Sequence, residues 1–148
     1  MSKGKIYEFD PILYPRLLWI VKKDSDFIRE HFRKKGGYEL TDDDVDMSYT
    51  DAWVCKCERK SDNRLGILFF FDTGIEAKQL VHECYHALTA YVSEINADLP
   101  DYDSNGMEEF AAYLIEWIFD CCWKVKQGKA KEVNCHGQAE DTEPKSQV

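Results

Sequence analysis

The stretch LGILFFFDTGIEAKQLVHECYHA, residues 65–87, decides the fold that this sequence predicts. Residues 65–71 are almost all apolar or aromatic, which is typical of a strand that is covered on both faces. Apolar side chains then recur at helical spacing, and they predict a helix over residues 74–95. Thr73, followed three residues later by Glu76, has the spacing of a capping box and marks the predicted start of that helix. A buried strand should therefore lead directly into an amphipathic helix.

Further strands are predicted on the N-terminal side of this stretch. They are expected at residues 6–9, 17–22 and 52–59. The segment 52–59 alternates between two sets of side chains, and the polar residues 61–64 separate it from 65–71, so these two strands should form a hairpin.

Two more helices complete the predicted fold. A short helix should begin at the N-cap candidates 24–26, continue through Phe32 and end at Gly36-Gly37. A long amphipathic helix is expected over residues 107–125. The fold class is therefore α+β, with a small, mainly antiparallel sheet packed on the helix that contains residues 82–86 and on a second long helix.

Length and composition place limits on the domain organisation. The 148 residues suggest one domain, which we assign to residues 1–126. Residues 127–148 are polar and contain few apolar side chains, so they are expected to form a disordered tail. The six cysteines contain no pair of C-x-x-C motifs, and with no recognisable export signal they are expected to be free thiols.

The net charge and the apolar runs exclude two classes of partner. A net charge of −9 argues against nucleic acid as a partner, because a basic surface is needed to bind phosphates. The longest apolar run, residues 65–71, is far too short to span a bilayer. We therefore expect a cytoplasmic protein that binds neither nucleic acid nor membrane.

The segment His82-Glu83-Cys84-Tyr85-His86 has the pattern H-E-x-x-H. Residues four apart lie one above the other on a single face of a helix, so two imidazoles can bind the same Zn²⁺. A glutamate beside the first histidine can act as a general base on a metal-activated water. The motif therefore predicts His82 and His86 as metal ligands and Glu83 as the catalytic residue.

A catalytic zinc ion usually has a third protein ligand, and the next helix offers Glu108 and Glu109. The helical angle of about 100° per residue puts Glu108 nearer the apolar side of the helix. However, Glu108 also stands three residues after Asn105, which is the spacing of a capping box and gives it a structural role. The residues alone leave both glutamates open as the third ligand.

The segments 81–87 and 109–118 together resemble small phage-encoded zinc metallopeptidases, which combine H-E-C-x-H-A with a later E-x-x-A-Y-L. They are more distantly similar to gluzincins and to ImmA/IrrE-type metallopeptidase domains. The resemblance implies a minimal zincin-like fold with Glu109 as the third metal ligand and Ala112 as a small residue at the helix contact. Glu108 is also followed by an alanine three residues later, so the distant families do not decide between the two.

The resemblance implies a zinc-dependent metallopeptidase that hydrolyses a peptide or protein substrate, in the host cytoplasm if it is encoded by a phage. Tyr85, Tyr91 and Tyr113 are candidate donors to the oxyanion that forms during such a reaction. Two alternatives stay open: a non-catalytic zinc-binding structural or interaction protein, for example one of phage origin, and a zinc hydrolase with a non-peptide substrate. The substrate and the oligomeric state are not encoded in a pattern that we can interpret.

Overall fold

A computed structural model describes residues 4–45, 51–95, 98–102 and 106–133 of the chain. Five strands form one mixed sheet: β1 (Ile6–Phe9), β2 (Leu17–Lys22), β3 (Phe32–Lys34), β4 (Ala52–Arg59) and β5 (Leu65–Phe71). Their order across the sheet is β1-β2-β5-β4-β3. The pairing of β2 with β5 is parallel and the other three pairings are antiparallel. The predicted α+β class and the β4–β5 hairpin are confirmed.

Strand β5 lies at the centre of the sheet, and side chains on both of its faces are buried. Ile67, Phe69 and Phe71 belong to the core on one face, and Leu68 and Phe70 belong to the core on the other. The alternation of side chains along a strand accounts for this division. The prediction that β5 is covered on both sides is therefore confirmed.

Three helices cover the two faces of the sheet: α1 (Ser25–His31), α2 (Ala77–Glu94) and α3 (Met107–Lys126). Helices α2 and α3 pack together on the face of Ile67 and Phe69, while α1 packs on the opposite face. Among the described residues, no helix is long and apolar enough to cross a membrane.

Helix α2 starts three residues later than the sequence predicted. Its N-cap is Glu76, whose side chain accepts from the backbone N–H of Gln79 while the Gln79 side chain accepts from the Glu76 N–H. The predicted capping box with Thr73 as the N-cap is therefore wrong. Glu76 is the capping residue rather than the third residue of the first turn, because the chain from Asp72 first makes a separate turn that ends at Ile75.

Helix α1 is shorter than predicted. It ends at His31, and the chain continues as β3, in which Phe32 pairs with Arg59 of β4. Phe32 is fully buried in the core beneath the sheet, so tertiary packing overrides the helical periodicity that included it. Gly36 and Gly37 have φ angles of 100° and 90° and form the turn after β3 rather than the end of the helix.

The C-terminal helix agrees with the predicted range to within one residue, and the chain beyond it is described as far as residue 133. Val133 makes an isolated bridge with Ile6 of β1, so the beginning of the predicted tail returns to the sheet. Residues 134–148, the larger part of that tail, lie outside the described residues.

The close approach of β5 to β2 depends on a residue without a side chain. A Cβ added at Gly66 would lie 2.6 Å from the Trp19 ring and 2.7 Å from the backbone oxygen of Leu17. We therefore expect Gly66→Ala to lower the free energy of unfolding by about 1–3 kcal/mol, as overpacking does elsewhere. Gly74→Ala is the matched control, because no atom lies within 4 Å of a Cβ there. Equal denaturation midpoints for the two variants would contradict the close contact.

Candidate metal centre

Helix α2 brings the two motif histidines together on its solvent-facing side. The Nε2 atoms of His82 and His86 are 3.3 Å apart, and the rings meet edge to face. Two nitrogens bound tetrahedrally to one Zn²⁺ at about 2.0–2.1 Å would be separated by about 3.3–3.4 Å. The imidazole pair therefore has the spacing of two ligands of a single zinc ion.

Glu83 completes a compact group with this pair. One ligand atom from each of His82, Glu83 and His86 lies within 4.8 Å of the other two, and this is the one such group of histidine, cysteine or acidic residues in the described part of the chain. The Glu83 carboxylate is 4.0 Å from His82 Nε2, and its side chain is 15 % exposed against 70 % for that of His82. A half-buried carboxylate thus lies beside two exposed imidazoles.

The environment of Glu83 raises the pKa of its carboxyl group above the ordinary value. Burial is the larger cause, and the neighbouring charges of His86 and His82 oppose it. A carboxylate with a raised pKa binds a proton more readily near neutral pH, which is the property required of a general base.

A groove of about 540 Å³ runs beside this group, between α2 and β4. Its walls combine one stretch of strand with one face of the helix. They are formed by Trp53, Val54, Cys55, Lys56, Glu83, His86, Thr89, Ala90 and Ser93. The Glu83 carboxylate and the His86 imidazole therefore line the same groove.

Among the residues that the structure describes, strand β4 has an open edge beside this groove. Strand β3 pairs with residues 57–59 of β4, and the Lys35 N–H donates to the Lys56 carbonyl at 3.2 Å. Backbone groups of alternate residues point to the same side of a strand, so those of Val54 point to the same side as those of Lys56. Within the described residues Val54 has no hydrogen-bond partner on that side.

The structure does not bring Glu109 or Glu108 to the imidazole pair. The two long helices run antiparallel, since Cys122 of α3 lies beside Cys84 of α2 and Lys126 Nζ donates to the Thr73 carbonyl at 2.7 Å. Glu109 precedes Cys122 by thirteen residues, so at 1.5 Å per residue it lies about 20 Å along the helix from the level of Cys84.

The direction in which the two imidazoles point from α2 also keeps them away from α3. Cys84 is buried against α3, and His82 and His86 stand two residues away on either side of it. Two residues correspond to a turn of about 200°, so both imidazoles point away from the side of α2 that α3 covers. The predicted third ligand would therefore require a different placement of the first turn of α3.

The three tyrosines considered as oxyanion donors lie in different environments. Tyr91 is fully buried, and its hydroxyl donates to the Arg16 carbonyl at 3.3 Å. Tyr85 and Tyr113 are exposed by 50 % and 65 %, and Tyr113 is on α3, away from the imidazoles. None of them lines the groove beside Glu83.

Sequence reasoning did not find the β4 wall of the groove. The alternation of 52–59 predicted a strand, but the side of it that would face α2 depends on the pairing with β5.

Comparisons with known proteins do not extend the resemblance described above. None of the protein-family models, curated proteins or solved structures that were compared matches this chain.

Zinc binding should depend on the imidazole pair and not on α3. We expect His82→Ala and His86→Ala to weaken zinc affinity by more than about 100-fold, because each removes one direct ligand. Glu109→Ala and Glu108→Ala should leave the affinity unchanged, given the distance between α3 and the pair. Zinc affinity of the purified variants, measured by competition with a chelator, tests both statements. A large loss in Glu109→Ala would place the first turn of α3 beside the histidines.

The raised pKa of Glu83 predicts a pH-dependent cost to folding in the metal-free protein. Above the folded pKa, the ionised and partly buried carboxylate lowers the free energy of unfolding, and this cost vanishes below the unfolded pKa of about 4.3. Glu83→Gln should therefore unfold at a higher temperature than the wild type at pH 8, and the difference should shrink towards pH 4. Glu109→Gln controls for the loss of one negative charge from a protein of net charge −9. A difference that is the same at all pH values would contradict the assignment of the cost to Glu83.

Proposed function

We propose that this protein is a zinc-dependent metallopeptidase of a minimal zincin-like type. The observation that carries the proposal is the 3.3 Å separation of the His82 and His86 Nε2 atoms, next to the half-buried carboxylate of Glu83. This separation suits two ligands of one tetrahedral zinc ion. The motif helix lies against an open-edged strand, an arrangement that is consistent with a zincin-like fold.

The roles of the residues follow from their positions. A zinc ion held by His82 and His86 would supply an activated water and polarise the carbonyl of the scissile bond. Glu83 would accept a proton from that water and pass it to the nitrogen of the leaving amine. Its partial burial supports this role, because burial raises the pKa of the carboxyl group. Glu109, the third ligand implied by the resemblance, does not lie beside the imidazole pair, and the proposal gives it no role.

The open edge of β4 favours a peptide as the substrate. An extended peptide can add to a sheet edge through main-chain hydrogen bonds, and its side chains then alternate between the two faces. Val54 lies in the wall of the groove that also contains Glu83 and His86, and among the described residues its outward backbone groups have no hydrogen-bond partner. A peptide bound there would pass directly beside the proposed base.

A second candidate is a zinc-binding structural or interaction protein without catalysis. The observation that favours it is that the described residues contribute two imidazoles and the neighbouring carboxylate, with no ligand from α3. If Glu83 itself bound the metal as the third ligand, it would no longer be free to act as a base. The two candidates therefore differ in the role of one side chain.

Metal analysis combined with Glu83→Gln separates the two candidates. For a metallopeptidase, we expect one zinc ion per chain in both the wild type and Glu83→Gln. Cleavage of a peptide library by the variant should be slower by about 10²–10⁴-fold, the usual contribution of a general base. Glu116→Gln, on α3, is the matched control and should retain full activity.

Other outcomes favour the second candidate or neither. A loss of zinc in Glu83→Gln, together with no cleavage by the zinc-loaded wild type, would identify Glu83 as a ligand and support a non-catalytic role. Absence of zinc binding by the wild type would contradict both candidates.

A further inference from the structure

The C-terminal end of α2 carries a buried carboxylate surrounded by three cations. The side chain of Glu94 is 1 % exposed and accepts from Arg16 Nε at 2.7 Å. Its oxygens also contact Lys35 Nζ at 2.9 and 3.1 Å and Lys56 Nζ at 3.2 Å. Burial acts to raise the pKa of Glu94, but the hydrogen bonds from these three cations lower it overall.

This cluster holds more positive charge than its own carboxylate compensates. Glu94 carries one negative charge, and Arg16, Lys35 and Lys56 carry three positive charges, so the four side chains have a net charge of two positive charges. In the described part of the chain no other carboxylate oxygen lies within 4.0 Å of the Lys35 or Lys56 ammonium. The whole chain carries a net charge of −9, so a local excess of positive charge is not a consequence of composition.

The two lysines are accessible to a ligand, unlike the carboxylate that they contact. Their side chains are 46 % and 37 % exposed. They are also held side by side, because the Lys35 N–H donates to the Lys56 carbonyl. The shorter contact from Arg16 is enough to hold the end of α2 on the sheet. This structural role therefore does not explain why two further ammonium groups, both exposed to solvent, surround the same carboxylate.

The lysine pair lies at one end of the groove that contains the candidate metal centre. Lys56 lines the groove together with Glu83 and His86. His86 and Glu94 are eight residues apart on α2, which corresponds to about 12 Å along the helix. An extended peptide advances about 3.3 Å per residue, so this distance spans about three to four residues.

We propose that Lys35 and Lys56 bind a carboxylate of the peptide substrate. This carboxylate lies three to four residues from the scissile peptide bond, which is positioned beside His82 and His86. This inference rests on the proposed peptidase function, since it assigns a substrate preference to the same groove. The carboxylate belongs either to an acidic side chain or to a free C-terminus, because both present the same charge and the same oxygen acceptors.

Peptide binding to the metal-free full-length chain tests the inference without any dependence on zinc or cleavage. The probes are fluorescent, amidated ten-residue peptides of Ala, Ser and Thr that carry one Glu, or one Gln at the same position. At low ionic strength we expect the Glu peptides to bind up to about fivefold more tightly, which is the factor for a partly exposed ion pair. The preference should fall as salt is added, because salt screens exposed charges.

Lysine variants assign the preference to the proposed site. Lys35→Gln and Lys56→Gln should each reduce the preference for Glu, and the double variant should remove it. Lys56→Arg keeps the charge and should retain it. Lys124→Gln is the matched control, because Lys124 also pairs with a carboxylate, Asp120 at 2.8 Å, but lies on α3. Thermal unfolding of each variant shows whether a lost preference reflects a lost fold.

Peptides with a free or an amidated C-terminus distinguish the two sources of the carboxylate. If the ligand is a C-terminus, the Gln peptide with a free carboxylate binds as tightly as the Glu peptide. Equal affinity of charged and neutral peptides for the wild type, including undetectable binding of both, would overturn the inference, as would a preference that survives in the double variant. Failure of zinc binding or cleavage in the separate metal experiments would instead contradict the proposed function.

Discussion

The orientation of α2 about its own axis is the constraint on which the candidate site depends. The helix buries Leu80, Cys84, Ala87, Leu88 and Tyr91 against the sheet and α3. Once this face is buried, helical geometry places the two imidazoles on the opposite, exposed face. Glu83 then lies at the flank of the exposed face, where its burial raises the pKa of its carboxyl group. Core packing therefore determines which motif side chain is a candidate ligand and which is a candidate base.

The same packing gives the groove two ends of different chemistry. One end has the His86 imidazole and the half-buried carboxylate of Glu83, and the other has Lys56 beside the buried Glu94. The contact of Glu94 with Arg16, ahead of β2, fixes the end of α2 over the sheet. A segment bound along β4 would extend from one end to the other.

Much of the fold could be predicted because the relevant patterns are local. The alternation in β4, the apolar run of β5 and the helical spacing in α2 lie within single elements, and His82 and His86 needed no tertiary information. Phe32 was misassigned because its burial beneath the sheet depends on a pairing with Arg59, twenty-seven residues later. The position of Glu109 relative to the motif was not predictable either. It depends on the packing of Cys84 against Cys122, and the loop length between the helices does not determine that contact.

The most direct test of the account is the position of zinc in a crystal of the zinc-loaded protein, located by anomalous scattering at the zinc edge. The account predicts one strong peak about 2.0–2.1 Å from the Nε2 atoms of both His82 and His86, with the Glu83 carboxylate outside the coordination sphere. A peak bound by other residues, or an imidazole pair joined by a hydrogen bond with no metal between the rings, would contradict it.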